Sequence, residues 1–357
     1  MNRSRLGRNA VLLCATVVLC SGATLRATIL EVGDFVLVDE GTSALYRVDP
    51  VSGNRSILSK AGSRGAGPAI ANPAELALEP SGMILLTDGL ARVMRINPET
   101  GNRVIVTGAG VGSGPSMSRD YGIAVRADGA IFLASQNEQA IFQVDPTNGN
   151  RTIISSNSVG TGLSYNVPNP LSFDGSGKLV VGDAVPNAVI QVDPANGNRT
   201  LITGTGRGTG PQITNPSGID LLPSGLLAVV DNIQNKLFIV DETTGNRTFL
   251  SGAGAGSGPL WDGIEHLTIN PTNGHIIVSC VTLPSLFDVD PSTGDRTILT
   301  GLGVGTGPSP TFQRDVLYVS IAVPEPSTIG LASMSLLTWV SFAMRRRLRC
   351  RRRLSSQ

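Results

Sequence analysis

The chain has 357 residues, among them 43 glycines and 22 prolines, with 28 basic and 27 acidic side chains and 4 cysteines. Eleven of the arginines crowd the two ends, so residues 28–322 carry 17 basic groups against 26 acidic ones, a sign that repels phosphate backbones and excludes nucleic acid as a partner. That stretch holds one cysteine, Cys280, which excludes an intrachain disulfide there and reads as a buried, inert thiol.

At the N-terminus, Arg3, Arg5 and Arg8 precede an apolar run from Ala10 to Cys20 and the small residues Ser21-Gly22-Ala23. This order predicts a secretory signal peptide over residues 1–27, cut near Ala23 or Ala27, and hence an exported protein. The rival, a lipid anchor on Cys20, lacks the small residue such a site wants, because Val17-Val18-Leu19 stands before the cysteine.

From there to residue 322 one phrase governs the chain. In its third copy it reads Val144-Asp145-Pro146-Thr147-Asn148-Gly149-Asn150-Arg151-Thr152. Its arginines recur at Arg55, Arg103, Arg151, Arg199, Arg247 and Arg296, in steps of 48, 48, 48, 48 and 49 residues. A fixed period of this size marks repeated supersecondary units, none of which buries its apolar face alone. Proline presets φ at the second turn position and glycine accepts positive φ three residues later, so the phrase predicts a hairpin with a type I turn closed by a bulge. β-Branched runs flank it, Ala140–Val144 before and Arg151–Ser155 after. With Gly122–Ala127 and Ala130–Ser135 they make four short strands per repeat and no helical period, the pattern of a propeller blade.

The first copy lacks its opening strand, since the mature chain enters at Phe35–Asp39, and a spare first strand, Val316–Ala322, follows the sixth hairpin. Placed side by side, the two complete one blade and close a ring, removing the open edges of a linear array. The predicted fold class is therefore all-β: a six-bladed β-propeller over residues 28–322, closed by N- and C-terminal strands that share one blade. Here the body resembles the NHL-repeat and gluconolactonase-like propellers. The likeness rests on Asn215-Pro216-Ser217-Gly218-Ile219-Asp220, Leu226–Asp231 and Lys236–Asp241. The pattern serves many functions, and fold does not carry function with it.

Glycine-rich loops such as Gly204–Pro211 join each blade to the next. A phosphate cradle needs a helix after the glycines, and here proline and another strand follow, so these read as linkers. They and the connections between second and third strands should surround the mouth of the central channel. The repeats vary there: Arg119, Asp120 and Tyr121 in one copy, Tyr165 in an insertion, Trp261 and Asp262 with Glu265 and His266, and Phe312 with Arg314 and Asp315. Aromatic planes beside charged and amide groups suit a sugar or other small polar ligand; the competing reading is that they pack loops and pair with one another. Another column, Asp39, Asp88, Asp183 and Asp231, with Gln136 and Cys280 in the remaining places, either converges on a hard cation such as Ca²⁺ or accepts hydrogen bonds from its own turns. No catalytic residue is identified. The gluconolactonase resemblance implies a divalent ion held by Glu, Asn and Asp from different blades, for which Glu75, Glu265, Asp120 and Asp231 are available.

The C-terminus has three parts: Pro324-Glu325-Pro326, an apolar segment from Ile329 to Met344, and seven arginines. Residues 323–357 thus resemble the PEP-CTERM sorting signal of bacterial exported proteins. That resemblance implies a hydrophobic sorting helix held transiently in the inner membrane, removal by an exosortase-type membrane protease, and delivery to the cell surface or the matrix outside. The competing reading is a permanent single-pass anchor. Two functions are expected from different classes: a non-enzymatic binder of a glycan, matrix polymer or protein, and a metal-dependent lactonase or lyase acting in the channel.

Overall fold

The computed structural model describes residues 30–118 and 121–321. Among them every regular element is a strand, and the strands form six four-stranded antiparallel sheets. Five blades are contiguous, at residues 73–107 (blade 2), 121–156 (blade 3), 168–203 (blade 4), 216–251 (blade 5) and 264–301 (blade 6). Blade 1 is composite: Gln313–Tyr318 is its inner strand and Phe35–Asp39, Ala44–Val48 and Arg55–Lys60 follow outward. Phe35 pairs with Tyr318 and Asp39 with Gln313, so the two chain ends close the ring as the arithmetic of the repeats required. The shared strand starts and stops earlier than expected. Past Tyr318 the chain leaves the sheet, and Val319 exchanges backbone hydrogen bonds with Asp34 and Gly33 instead. The signal-peptide and sorting-tail expectations, with Pro324, Glu325 and Pro326, lie outside the described residues.

Six apolar clusters fill the six gaps between neighbouring sheets. A blade sandwiched between two others is buried on both faces, so its second strand need not alternate apolar with polar residues. All six second strands, such as Phe35–Asp39 and Leu227–Asp231, are buried at every position.

The recurring phrase is a hairpin between third and fourth strands, and also a clasp. Asp145 exchanges backbone bonds with Gly149 and Asn150, giving a four-residue loop with Gly149 at φ 73°, one residue longer than the expected turn and bulge. The Gly149 carbonyl accepts from Thr107 of the preceding blade at 2.7 Å, and Arg151 donates to Thr107 Oγ1 and to the Pro115 carbonyl. Asn150 Oδ1 accepts the Ser113 N–H of the glycine-rich loop. The arrangement recurs at every junction, including Arg55 with Thr300 and Pro308 across the chain ends. Glycine is needed in those loops because a Cβ on Gly112 would stand 1.9 Å from the Gly149 carbonyl oxygen. The loops are linkers, and each clasps the hairpin of the next blade.

Candidate functional site

Where the inner strands begin and the second-to-third-strand turns end, the ring leaves an axial cavity of about 500 Å³. Its lining is divided by chemistry. Gln136, Asn169, Asn215 and Asn232 present amides from blades 3, 4 and 5, whereas Glu75, Glu265, His266 and Arg314 present ionisable groups from blades 2, 6 and 1. These last three blades are neighbours in the ring.

The floor follows from one register position. The middle residues of the six second strands pair with Leu76, Ile123, Leu171, Ile219, Leu267 and Val316 of the inner strands. The residues just before these are Glu75, Gly122, Pro170, Gly218, His266 and Asp315. Three adjacent blades thus place an ionisable side chain where the opposite three have glycine or proline. Gly122 could carry no other residue, since its Cβ would stand 1.7 Å from the Asn169 carbonyl oxygen.

In this floor His266 Nε2 lies 3.3 Å from Glu75 Oε1, and its Nδ1 lies 3.8 Å from Asp315 Oδ1. Glu75 Oε2 accepts the Ile123 N–H, and Asp315 accepts the N–H groups of Leu76 and Val316 at 2.7 Å each. Asp220 does the same for Ile269. Each carboxyl thereby satisfies the inner edge of an adjacent strand, a backbone edge with no other partner at the axis. Burial, then the nearby Asp315, raises the Glu75 carboxyl well above its ordinary range. Burial likewise pushes Asp315 up to about 7 and His266 down to about 3, the latter with help from Arg314. The imidazole is therefore neutral and the two acids tend to keep their protons. At the rim Arg314 is held by Glu40 at 2.9 Å and Glu265 at 2.8 Å, and Asn232 donates to Glu265.

The mouth residues expected from sequence therefore separate. Glu265, His266, Arg314 and Asp315 meet on the axis, and Phe312 stands beside them, half-exposed, with the Arg314 guanidinium 5.5 Å from its ring centre. Trp261 packs edge-on to Phe287 under the Arg296 guanidinium and donates its Nε1–H to the Asn235 carbonyl. Tyr165 is fully buried beneath Arg199, and neither aromatic lines the cavity. Asp262 is exposed and accepts from Asn235. Arg119, Asp120 and the Tyr121 side chain lie outside the described residues.

The aspartate column does not gather. Asp39 accepts from Thr42, Thr311 and Phe312, Asp183 from Asn166, Val167 and Val185, and Asp231 from Thr214 and Gln234, while Asp88 pairs with Arg92. Each ties its own turn to the start of its own inner strand. The register also corrects one place: Ser135 faces Ala140 as Asp88 faces Arg92, so Ser135 belongs to the column and Gln136 falls in the turn, where it reaches the cavity. Glu138 hydrogen-bonds Ser135 and Ser118, doing from the turn what aspartate does elsewhere. Cys280 is buried and donates to the Asp262 carbonyl.

A divalent ion does not fit what is present. The two floor carboxyls approach opposite nitrogens of one imidazole, which diverge, and among the described residues no three His, Cys, Asp or Glu side chains are placed to share an ion. Asn232 and Asp220 had not been singled out from sequence. The signal for them was positional: Asn232 follows a column aspartate, and Asp220 stands two residues past the axial position Gly218, on the same face of the strand.

No protein-family model matches the sequence, and no curated protein does. Among solved structures, a chain of a nidogen/laminin complex is similar with a TM-score of 0.60 and 15% identity, over 80% of this chain and 98% of that one. The virginiamycin B lyase of Staphylococcus aureus is similar at 0.53 and 14%, over 77% and 88% of the respective chains. A protein of unknown function from Bacteroides caccae is similar at 0.54 and 12%, over 80% and 98%. At such identities the shared feature is the six-bladed propeller.

Proposed function

We propose that this chain is an exported bacterial propeller that binds a polar ligand in its axial mouth without transforming it, the ligand being a saccharide unit of a glycan or matrix polymer. The observation that carries this reading is the cavity of about 500 Å³, large enough for one or two sugar rings and faced by four side-chain amides opposite an Arg314–Glu265 pair. Amides and ion pairs fixed by the blades present donors and acceptors in both directions, as hydroxyl recognition needs. A chain of a nidogen/laminin complex is one neighbour whose architecture accompanies binding. Titration of the purified protein against a panel of oligosaccharides tests the reading. Binding that weakens about tenfold in Asn215→Ala and Asn232→Ala supports it, by the scale of hydrogen bonds lost from a desolvated site; retention of full affinity in both variants would remove the mouth from consideration.

Export, passage through the inner membrane and removal of residues beyond Ile329 by an exosortase-type protease belong to the same proposal. They rest on the leader and on Pro324-Glu325-Pro326 with its apolar segment and arginines. Mass spectrometry of the surface fraction checks them, since a mature protein retaining peptides from 330–357 contradicts tail removal.

One observation favours a second reading, a lyase or lactonase working in the channel. His266 is uncharged in the cavity floor, as a proton-accepting base must be, and beside it stands Glu75, whose carboxyl burial raises well above its ordinary range. Turnover of lactones or cyclic esters that disappears in His266→Ala would establish it.

A further inference from the structure

The floor of the mouth carries two carboxyls and one imidazole where the opposite wall carries amides. Glu75 Oε1 has the His266 Nε2 as its neighbour at 3.3 Å, and the His266 side chain, about one-tenth exposed, stands between Glu75 and Asp315. Arg314, the single Lys or Arg of the described cavity lining, is already balanced by Glu40 and Glu265. Arg314 is felt at Glu75 and His266 from the rim, but among the described residues no Lys or Arg is ion-paired with Glu75, Asp315 or, deeper in the channel, Asp220. A neutral sugar would satisfy the amide half of the cavity but leave these acceptors as they are, and a uronic acid would bring a further negative charge towards them. We infer that the ligand is an amino sugar with a free primary amine, its ammonium seated between Glu75 and His266 and its hydroxyls against Asn169, Asn215 and Asn232. This deepens the saccharide reading and rests on it.

The chemistry balances in one step without covalent change. Glu75 keeps its proton in the empty mouth because burial, Asp315 and Glu265 oppose its ionisation. An arriving ammonium provides the missing countercharge, the carboxyl ionises, its proton passes to solvent, and a charge-assisted pair forms. Binding should therefore release a proton and strengthen as pH rises towards 7, because the raised Glu75 and Asp315 carboxyls become easier to ionise.

The test is calorimetric titration of the full-length chain in detergent with glucosamine oligomers, N-acetylglucosamine oligomers, glucose oligomers and oligolysine, in two buffers of different ionisation enthalpy. The expected result is binding of the free-amine oligomer about tenfold or more tighter than its acetylated counterpart, with about one proton released. In Glu75→Gln, whose amide oxygen still accepts the Ile123 N–H, that preference should vanish while binding of the acetylated oligomer persists. If Glu75→Gln fails to fold, the pH series on the unaltered protein decides: the amine preference must shrink as pH falls towards 5. Equal affinity for free and acetylated oligomers overturns the inference and leaves the saccharide reading standing. Binding of no saccharide overturns both, and oligolysine binding as tightly as glucosamine oligomers reassigns the floor to a polypeptide amine.

Discussion

Asp231 accepts the Thr214 N–H and hydroxyl and the Gln234 N–H, all in a buried corner of blade 5. Asp231→Ala strips four donors, the Gln234 side-chain amide included, of their acceptor and should cost about 2–3 kcal/mol in urea denaturation, with no change in divalent-ion content. Arg199 is more exacting, because its guanidinium reaches Ser155 Oγ and the carbonyls of Ser156, Val159 and Leu163 while covering Tyr165. A lysine has neither the fork nor the plane to replace it. Arg199→Lys should therefore lower stability by about 2 kcal/mol, measured as a shift in urea midpoint at unchanged slope. At this scale the sequence showed that both residue types recur, but not why. Ser135 stands one period of 48 before Asp183 and two after Asp39, but Asp88 sits one residue late in blade 2, so counting from Asp88 lands on Gln136 instead.

Hairpin and loop act as one element, and glycines within it are unequal. Gly149 has φ 73° and faces the Val106 carbonyl oxygen, which a Cβ would approach to 2.2 Å; Gly206 has φ 88° with nothing within 4 Å. Gly149→Ala carries both backbone strain and a clash with a fixed backbone atom and should destabilise by about 3 kcal/mol or more, whereas Gly206→Ala carries strain alone, about 1 kcal/mol. Thermal unfolding of the two variants side by side checks this, and equal losses would mean that the clasp yields to a methyl group. Both glycines recur at fixed places in the repeat, one in the hairpin phrase and one in the glycine-rich loop. What distinguishes them is the outer strand of the preceding blade, whose Val106 lies 43 residues earlier in the chain and directly against Gly149.

For the whole ring, the axial cluster couples stability to pH through three blades at once. Asp315, raised to about 7, and Glu75, raised well above its ordinary range, hold protons in the folded state that the unfolded chain releases from about pH 4 upward. Their contribution is complete below that pH and is lost as pH rises towards 7. His266 opposes them: its folded value near 3 lies below the unfolded 6.5, so its contribution is lost as pH falls through that interval. In the intact protein the opposed slopes partly cancel. His266→Gln should therefore make stability fall more steeply between about pH 4 and 7, and Asp315→Asn should flatten the fall, as read from urea midpoints across that range. Ring closure is checked separately by ending the chain at Gly307. Without Gln313–Tyr318, the edge of Phe35–Asp39 and the gap beside blade 6 lie open, and the single cooperative transition should give way to a broad one with self-association.

Period, strand count and the missing first strand were enough to determine six blades and the meeting of Phe35–Asp39 with the end of the body, because repetition and open edges are local facts that admit one closed solution. The candidate site was legible only in part. Glu265, His266, Arg314 and Asp315 stood out where the repeats vary, yet so did Trp261 and Tyr165, which the fold places under arginines of the clasp. An aromatic or charged residue beside a glycine-rich loop can turn to the axis or to the next blade, and nothing within its own repeat selects between them. That choice is made by the register of the inner strands, shifted by a bulge in five of the six blades, which brings Glu75, His266 and Asp315 from positions up to 240 residues apart to one level around the axis.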